Sequence, residues 1–267
     1  MTTGKSVKVA IIDTGVSAKH PDLRQAIRGG INILNPGSTP EDDNGHGTNV
    51  AGIIGSRGAA TGLSGVAPEV ELYIVKAFDS DGAANLSDIV EGLEWCLKQG
   101  IKLVNLSFGL PRDHKVLRQL VKKAAEQGML LVCAAGNEGG SDSVMYPGKY
   151  PETICVSALA PGDKLATFSS TGPEVDFIAP GKDILTTEPR GKYALKNGTS
   201  FAAPHATGVL ALLLGFSQSP LCKTNLTTAQ IQDILIGSTQ HLPNLTPEEQ
   251  GHGLINALQS MSKLVRI

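Results

Sequence analysis

Val7-Lys8-Val9-Ala10-Ile11-Ile12-Asp13-Thr14-Gly15 is the stretch that decides the fold of this chain. Val7–Ile12 reads as a strand, and its unbroken apolar core Val9–Ile12 suits a strand covered on both faces. It then stops on a carboxylate and a glycine turn. A carboxylate that follows four apolar residues is costly to bury unless it is hydrogen-bonded.

Outward from this run the same grammar repeats. Leu72–Ala77, Ile101–Leu106, Met129–Ala134 and Thr153–Ala158 are further short apolar runs that read as buried strands. Helical segments lie between them. Ser87 is placed to cap a helix over Asp88–Gln99 with Gly100 as its stop, and Asp113–Gln127 follows with Gly128 as its stop. Other helices are expected from about Gly47 through Ile54, from Thr199 or Ser200 to about Leu214, over Thr228–Gly237, and from about Leu254 to Leu264. Strand–helix alternation with continuously apolar strands predicts a three-layer α/β/α fold around a central, mostly parallel twisted sheet. No repeat or linker interrupts it, so residues 1–267 read as one domain.

Composition narrows the function classes. Hydrophobic residues make up 41% and charged residues 18%, with a net charge of -2, which fits a globular enzyme and disfavours disorder. That near-neutral balance gives no sign of a nucleic-acid or anionic-membrane partner. The longest apolar run, Gly208 to Phe216, falls short of a membrane span and reads as a buried helix. The four cysteines, Cys96, Cys133, Cys155 and Cys222, show no CxxC or His/Cys ligand spacing. They read as free thiols, which suits a reducing compartment, and with no apolar leader at Met1–Lys5 the expectation is a cytoplasmic location, with secretion after processing as the alternative.

In parallel sheets functional residues gather at strand carboxyl ends and at the helix starts that follow. Four segments stand there. Asp13 ends the first strand; His46 lies in Asn44-Gly45-His46-Gly47-Thr48; Ser200 lies in Asn197-Gly198-Thr199-Ser200-Phe201-Ala202-Ala203-Pro204; and Asn137 follows Ala134-Ala135-Gly136. Taken singly, these are a turn aspartate, a solvated loop histidine, a helix-capping serine and a loop asparagine. Together they supply a nucleophile, a base, a group to orient the base, and oxyanion donors. Pro204 is expected in the first turn of its helix, where a missing N–H costs nothing.

At these segments the sequence resembles the subtilisin (subtilase) family of serine proteases. The likeness runs from about Val7 to Ala257 and includes His20-Pro21-Asp22-Leu23, Gly65-Val66-Ala67-Pro68, Tyr146-Pro147-Gly148-Lys149-Tyr150-Pro151, Phe168-Ser169-Ser170 and Gly251-His252-Gly253-Leu254-Ile255-Asn256. The chain order Asp, His, Ser is that family's. The resemblance implies a serine endopeptidase with the triad Asp13, His46 and Ser200, and with Asn137 and the Ser200 amide as oxyanion donors. It implies a protein or peptide substrate lying extended along Ser107-Phe108-Gly109, with Gly82-Ala83-Ala84 on the other side of the cleft. It also places Ala134, Ala135 and Gly136 on the wall of the primary specificity pocket, with Met145 at its floor.

The sequence departs from the family at three places. Met145 stands where relatives often carry a small residue, so a shallower pocket that disfavours large aromatic P1 residues is expected. Asn49 stands where most relatives have a second histidine. A family calcium site would use Asp22 and the loop Arg57–Leu63, but that loop offers no carboxylate or amide side chain, so a structural calcium is expected to be lost or weak there. Catalysis needs no cofactor or metal. Relatives are usually made with an inhibitory propeptide, a further expected partner. The competing readings are a narrow peptide-maturing subtilase, an inactive peptide-binding subtilase, and a nucleotide-binding α/β domain; the last lacks any GxGxxG or GxxxxGK[ST] motif after the first strand.

Overall fold

The computed structural model describes residues 2–265 apart from Lys223 and Asn225. In chain order the elements are β1 (Lys8–Asp13), β2 (Ile27–Asn32), α1 (His46–Gly55), β3 (Glu71–Lys76), α2 (Leu86–Lys98), β4 (Leu103–Leu106), α3 (Lys115–Glu126), β5 (Leu130–Ala134) and β6 (Ile154–Ala160). There follow β7 (Lys164–Leu165), β8 (Phe177–Pro180), the pair β9 (Ile184–Glu188) and β10 (Lys192–Lys196), then α4 (Thr199–Ser217), α5 (Thr228–Ile236), α6 (Pro247–Gln250) and α7 (Ala257–Leu264).

The main sheet runs β2-β3-β1-β4-β5-β6, parallel throughout, with β8 parallel and β7 antiparallel to β6 at the far edge. Period-two alternation sorts the two cores. Val9 and Ile11 of β1 join the face covered by α1 and α4, whereas Ala10 and Ile12 join the face covered by α2 and α3. Each fully buried isoleucine or leucine contributes about 1.5–3 kcal/mol by leaving water. From β1 the chain places β2 and then β3 on one side, with β3 adjacent to β1, and crosses to the other side with β4, β5 and β6. That makes the carboxyl ends of β1 and β4 the point where strand order reverses, and a crevice opens there.

The five expected strands are present within a few residues of their predicted limits. The cap of α2 and the place of Pro204 in α4 differ from expectation, and α3 and α7 start two and three residues later than expected. The cap of α2 is Asn85, paired in a capping box with Asp88, and Ser87 lies inside the helix. Pro204 sits in the second turn of α4. There its missing N–H would normally strip a partner from the Ser200 carbonyl four residues back. That carbonyl instead accepts the Ser107 hydroxyl at 2.8 Å. Helix α4 is also longer than the Gly208–Phe216 run: its 19 residues are apolar enough to cross a membrane by length and composition, yet they pack against β4, β5, β6 and β8 as the central core helix.

Candidate active site

Asp13, at the carboxyl end of β1, is 3% exposed. His46 opens α1. Its Nδ1 lies 2.8 Å from Asp13 Oδ1 and 2.9 Å from Oδ2. The contact depends on a close approach of α1 to the β1 turn. A Cβ on Gly47 would lie 2.0 Å from the Gly15 carbonyl oxygen and 3.2 Å from Asp13 Oδ1, so only glycine fits. Asp13 Oδ1 also accepts the Thr14 N–H at 2.7 Å. Burial pushes the His46 imidazole down, but the charge and hydrogen bond of Asp13, with the Asp42 charge behind them, outweigh it and leave its pKa raised; Lys196 opposes them.

Ser200 is the second residue of α4. Its Oγ donates to the Ser107 carbonyl at 3.0 Å, the reciprocal of the Ser107-to-Ser200 bond, so the nucleophile's helix and the β4 exit are tied by two hydrogen bonds. Ser107 is held in turn by Asn105 Nδ2 at 2.8 Å. Asn137 Oδ1 accepts both the Thr199 N–H (2.9 Å) and the Thr199 hydroxyl (3.0 Å), which leaves its Nδ2 as the donor end. The Ser200 N–H belongs to the first turn, where amides have no intrahelical partner. His46, Asn137 and Ser200 line one cavity of about 510 Å³ together with Asn49, Lys196 and Phe201. The Phe201 ring stands 5.6 Å from the imidazole, tilted 47°.

A second cavity, of about 290 Å³, runs from Asp13 and His46 between Gly82 on one side and Ser107, Phe108 and Gly109 on the other. Ala83 and Ala84 do not line it: Ala83 is tied by its N–H and carbonyl to Asp79, and Ala84 packs on the α2/α3 core. The segment around Met145 bridges the Ala134–Gly136 segment and the chain that follows Ser107–Gly109. Met145 N–H donates to Ala135 O at 2.8 Å, and Tyr146 pairs with Leu110 in both directions. The Met145 side chain fills the gap between Gly136 and Gly109. A Cβ on Gly109 would stand 2.7 Å from Met145 Sδ, and one on Gly136 2.7 Å from Met145 Cγ. Asn49 donates to Thr187 O (2.7 Å) and Glu188 Oε2 (2.9 Å), anchoring α1 to β9.

The calcium site implied by the family does not fit these residues. Asp22 is fully buried and both its oxygens are already occupied, Oδ1 by the Ala60 N–H at 2.6 Å and Oδ2 by the Tyr193 hydroxyl at 2.6 Å. The facing loop presents donors where calcium needs six to eight oxygens. A larger cavity of about 820 Å³, between residues 2–6 and α7, contains no His, Cys, Asp or Glu and is remote from this chemistry. Sequence reading missed Thr14, Asp42 and Lys76. Lys76, buried beside Asp13 in the β1–β3 register, donates to Thr14 O and Asp43 Oδ1, both at 2.6 Å. A charged residue at the end of an apolar strand is the one signal that could have marked it.

A carboxylate–imidazole pair, a helix-start serine and an amide donor gathered around adjoining cavities are the elements of a serine-peptidase-type site. The chain belongs to the subtilase family, whose model matches residues 4–253. It is 42% identical over 258 residues to subtilisin E of Bacillus subtilis, covering 95% of this chain and 65% of that protein. It is 42% identical over 254 residues to the minor extracellular protease Epr of the same species, covering 95% and 38%. It is 40% identical over 273 residues to the intracellular serine protease of Paenibacillus polymyxa, covering 98% and 83%. The chain therefore spans 38% and 65% of the lengths of the first two.

Proposed function

We propose that the chain hydrolyses internal peptide bonds of protein and peptide substrates through an acyl-enzyme on Ser200. The observation that carries this is His46, bonded to the buried Asp13 and lining the same cavity as Ser200 and Asn137. Ser200 Oγ turns from the Ser107 carbonyl to His46 Nε2 as substrate arrives; catalytic hydrogen bonds often tighten only then. His46 takes the Oγ proton while Oγ bonds to the carbonyl carbon. Asp13 holds the tautomer with Nδ1–H and stabilises the imidazolium. Asn137 Nδ2 and the Ser200 N–H receive the oxyanion. His46 gives its proton to the leaving amine, and a water, deprotonated by the same ring, releases the acyl group.

The substrate lies extended along Ser107–Gly109. Met145 occupies the space between the Ala134–Gly136 and Ser107–Gly109 walls, so small P1 side chains are favoured. Because the Ala60 N–H and the Tyr193 hydroxyl hold Asp22 in place, the fold does not depend on calcium at that site. An inhibitory propeptide that lies along the same cleft is a further partner. We infer a reducing compartment from four free cysteines, three of them buried with thiols pushed up by that burial. The intracellular protease of P. polymyxa is a precedent. A pre-steady-state burst of chromophore from a peptide ester, stoichiometric with protein and absent in Ser200→Ala, tests the mechanism; turnover that survives Ser200→Ala would refute it.

A further inference from the structure

Asp42 lies outside the triad, four residues before His46, and is buried. Its Oδ1 accepts the Thr14 hydroxyl (2.9 Å) and the N–H groups of Asn44 (3.1 Å) and Gly45 (2.8 Å). Its Oδ2 accepts the Thr48 N–H (2.9 Å) and the Thr48 hydroxyl (2.5 Å). Thr14 Oγ1 in turn accepts the Gly47 N–H at 3.0 Å. Thus the backbone at 44, 45, 47 and 48, on both sides of His46, ends on one carboxylate or on the threonine bound to it. Thr14 is also the residue that follows Asp13. One side chain therefore fixes the helix that carries the base relative to the strand that carries its partner.

We propose that Asp42 is a positioning residue for the reaction, holding the His46 imidazole on Asp13 and adding a second negative charge behind it. This rests on the reading of His46 as the general base. The charged groups that face His46 are Asp13 from β1, Asp42 from the loop before α1, Lys196 from β10, and Glu188 of β9, which a Cβ on Gly45 would approach to 3.4 Å. Two of the negative groups, Asp13 and Asp42, favour the imidazolium, and Lys196 disfavours it.

The test compares wild type, Asp42→Asn and Thr14→Val by kcat, KM and the pH profile of kcat/KM on a peptide anilide, with thermal melting as the check on folding. Asp42→Asn should lower kcat by about 10- to 100-fold with KM within about twofold, because a small misplacement of a catalytic group has that effect. Its acid limb should move to lower pH, since the imidazolium loses a negative neighbour. Thr14→Val, which removes one donor but keeps the charge, should lower kcat less and leave the acid limb in place. A folded Asp42→Asn with wild-type kcat and an unmoved acid limb would overturn the proposal. If Asp42→Asn does not fold, wild-type kcat in Thr14→Val overturns it. Wild-type enzyme with no acid limb would instead overturn the general-base reading, and this inference with it.

Discussion

Replacing Met145 by glycine should convert the specificity of this enzyme. The side chain lies between two backbone walls, with Sδ and Cγ where a Cβ on Gly109 or Gly136 would come within 2.7 Å. With Met145 at the floor of the P1 pocket, as proposed, a benzyl group would have no slot while the thioether is there. Deleting it opens the slot, and burying a phenylalanine side chain is worth about 1.5–3 kcal/mol. If that energy is realised in the transition state, kcat/KM for a P1 phenylalanine substrate rises about 10- to 150-fold relative to P1 alanine. The half-buried methionine contributes about 1–3 kcal/mol to the fold, so the variant should remain folded with a lowered Tm. The assay is kcat/KM on peptide anilides identical from P4 to P2, with Ala, Leu or Phe at P1. A clear phenylalanine preference in wild type, or an unchanged Phe/Ala ratio in a folded variant, would refute the reasoning.

Other outcomes follow from the same geometry. Asn137→Leu should reduce kcat by about 100- to 1000-fold with little change in KM, the loss measured when this oxyanion donor is removed from a subtilisin. Burial pushes Asp176 up to about 6, against the Cys155 N–H and the His252 charge that pull it down. The native state then binds that proton more tightly than the unfolded chain, so stability from this group falls as pH rises from about 4 to about 6. Asp176→Asn should abolish that slope in urea titrations and stabilise the protein at pH 7 by up to about 3 kcal/mol. Calcium and a chelator should give the same Tm, because protein donors already hold Asp22 in place; a Tm several degrees higher in calcium would contradict this.

The strands that sequence reading found are the mostly buried ones, where apolar residues predominate. Those it missed are half-exposed or short. β2 reads Ile-Arg-Gly-Gly-Ile-Asn, with alternating exposure at the sheet edge. The β9–β10 pair carries its leucines outward, Leu185 opposite Leu195 at 52% and 63% exposure, which inverts the usual pattern. At the candidate site the structure gathers Asp13, His46, Ser200 and Asn137, which the sequence offered at a strand end, two helix starts and a loop inside distinctive motifs. Asp42 was not legible, since it accepts donors from residues 14, 44, 45 and 48, and nothing local distinguishes it from an ordinary loop aspartate. Pro204 was legible as a helix residue but misplaced by a turn, because the hydroxyl that takes the freed carbonyl comes from Ser107, distant in sequence. Ala83 and Ala84, expected beside the cleft from the resemblance, follow Gly82 on that side; Ala83 is exposed and held by Asp79, and Ala84 packs partly on the core.

The central claim is that Asp13 and His46 activate Ser200. Labelling with a fluorophosphonate, followed by peptide mass spectrometry, tests it most directly when run on wild type, His46→Ala and Ser200→Ala. One label per wild-type chain is expected, on Ser200 alone, strongly slowed in His46→Ala and absent in Ser200→Ala. A folded wild-type protein that takes no label, or that labels Ser200 at the same rate without His46, would contradict it.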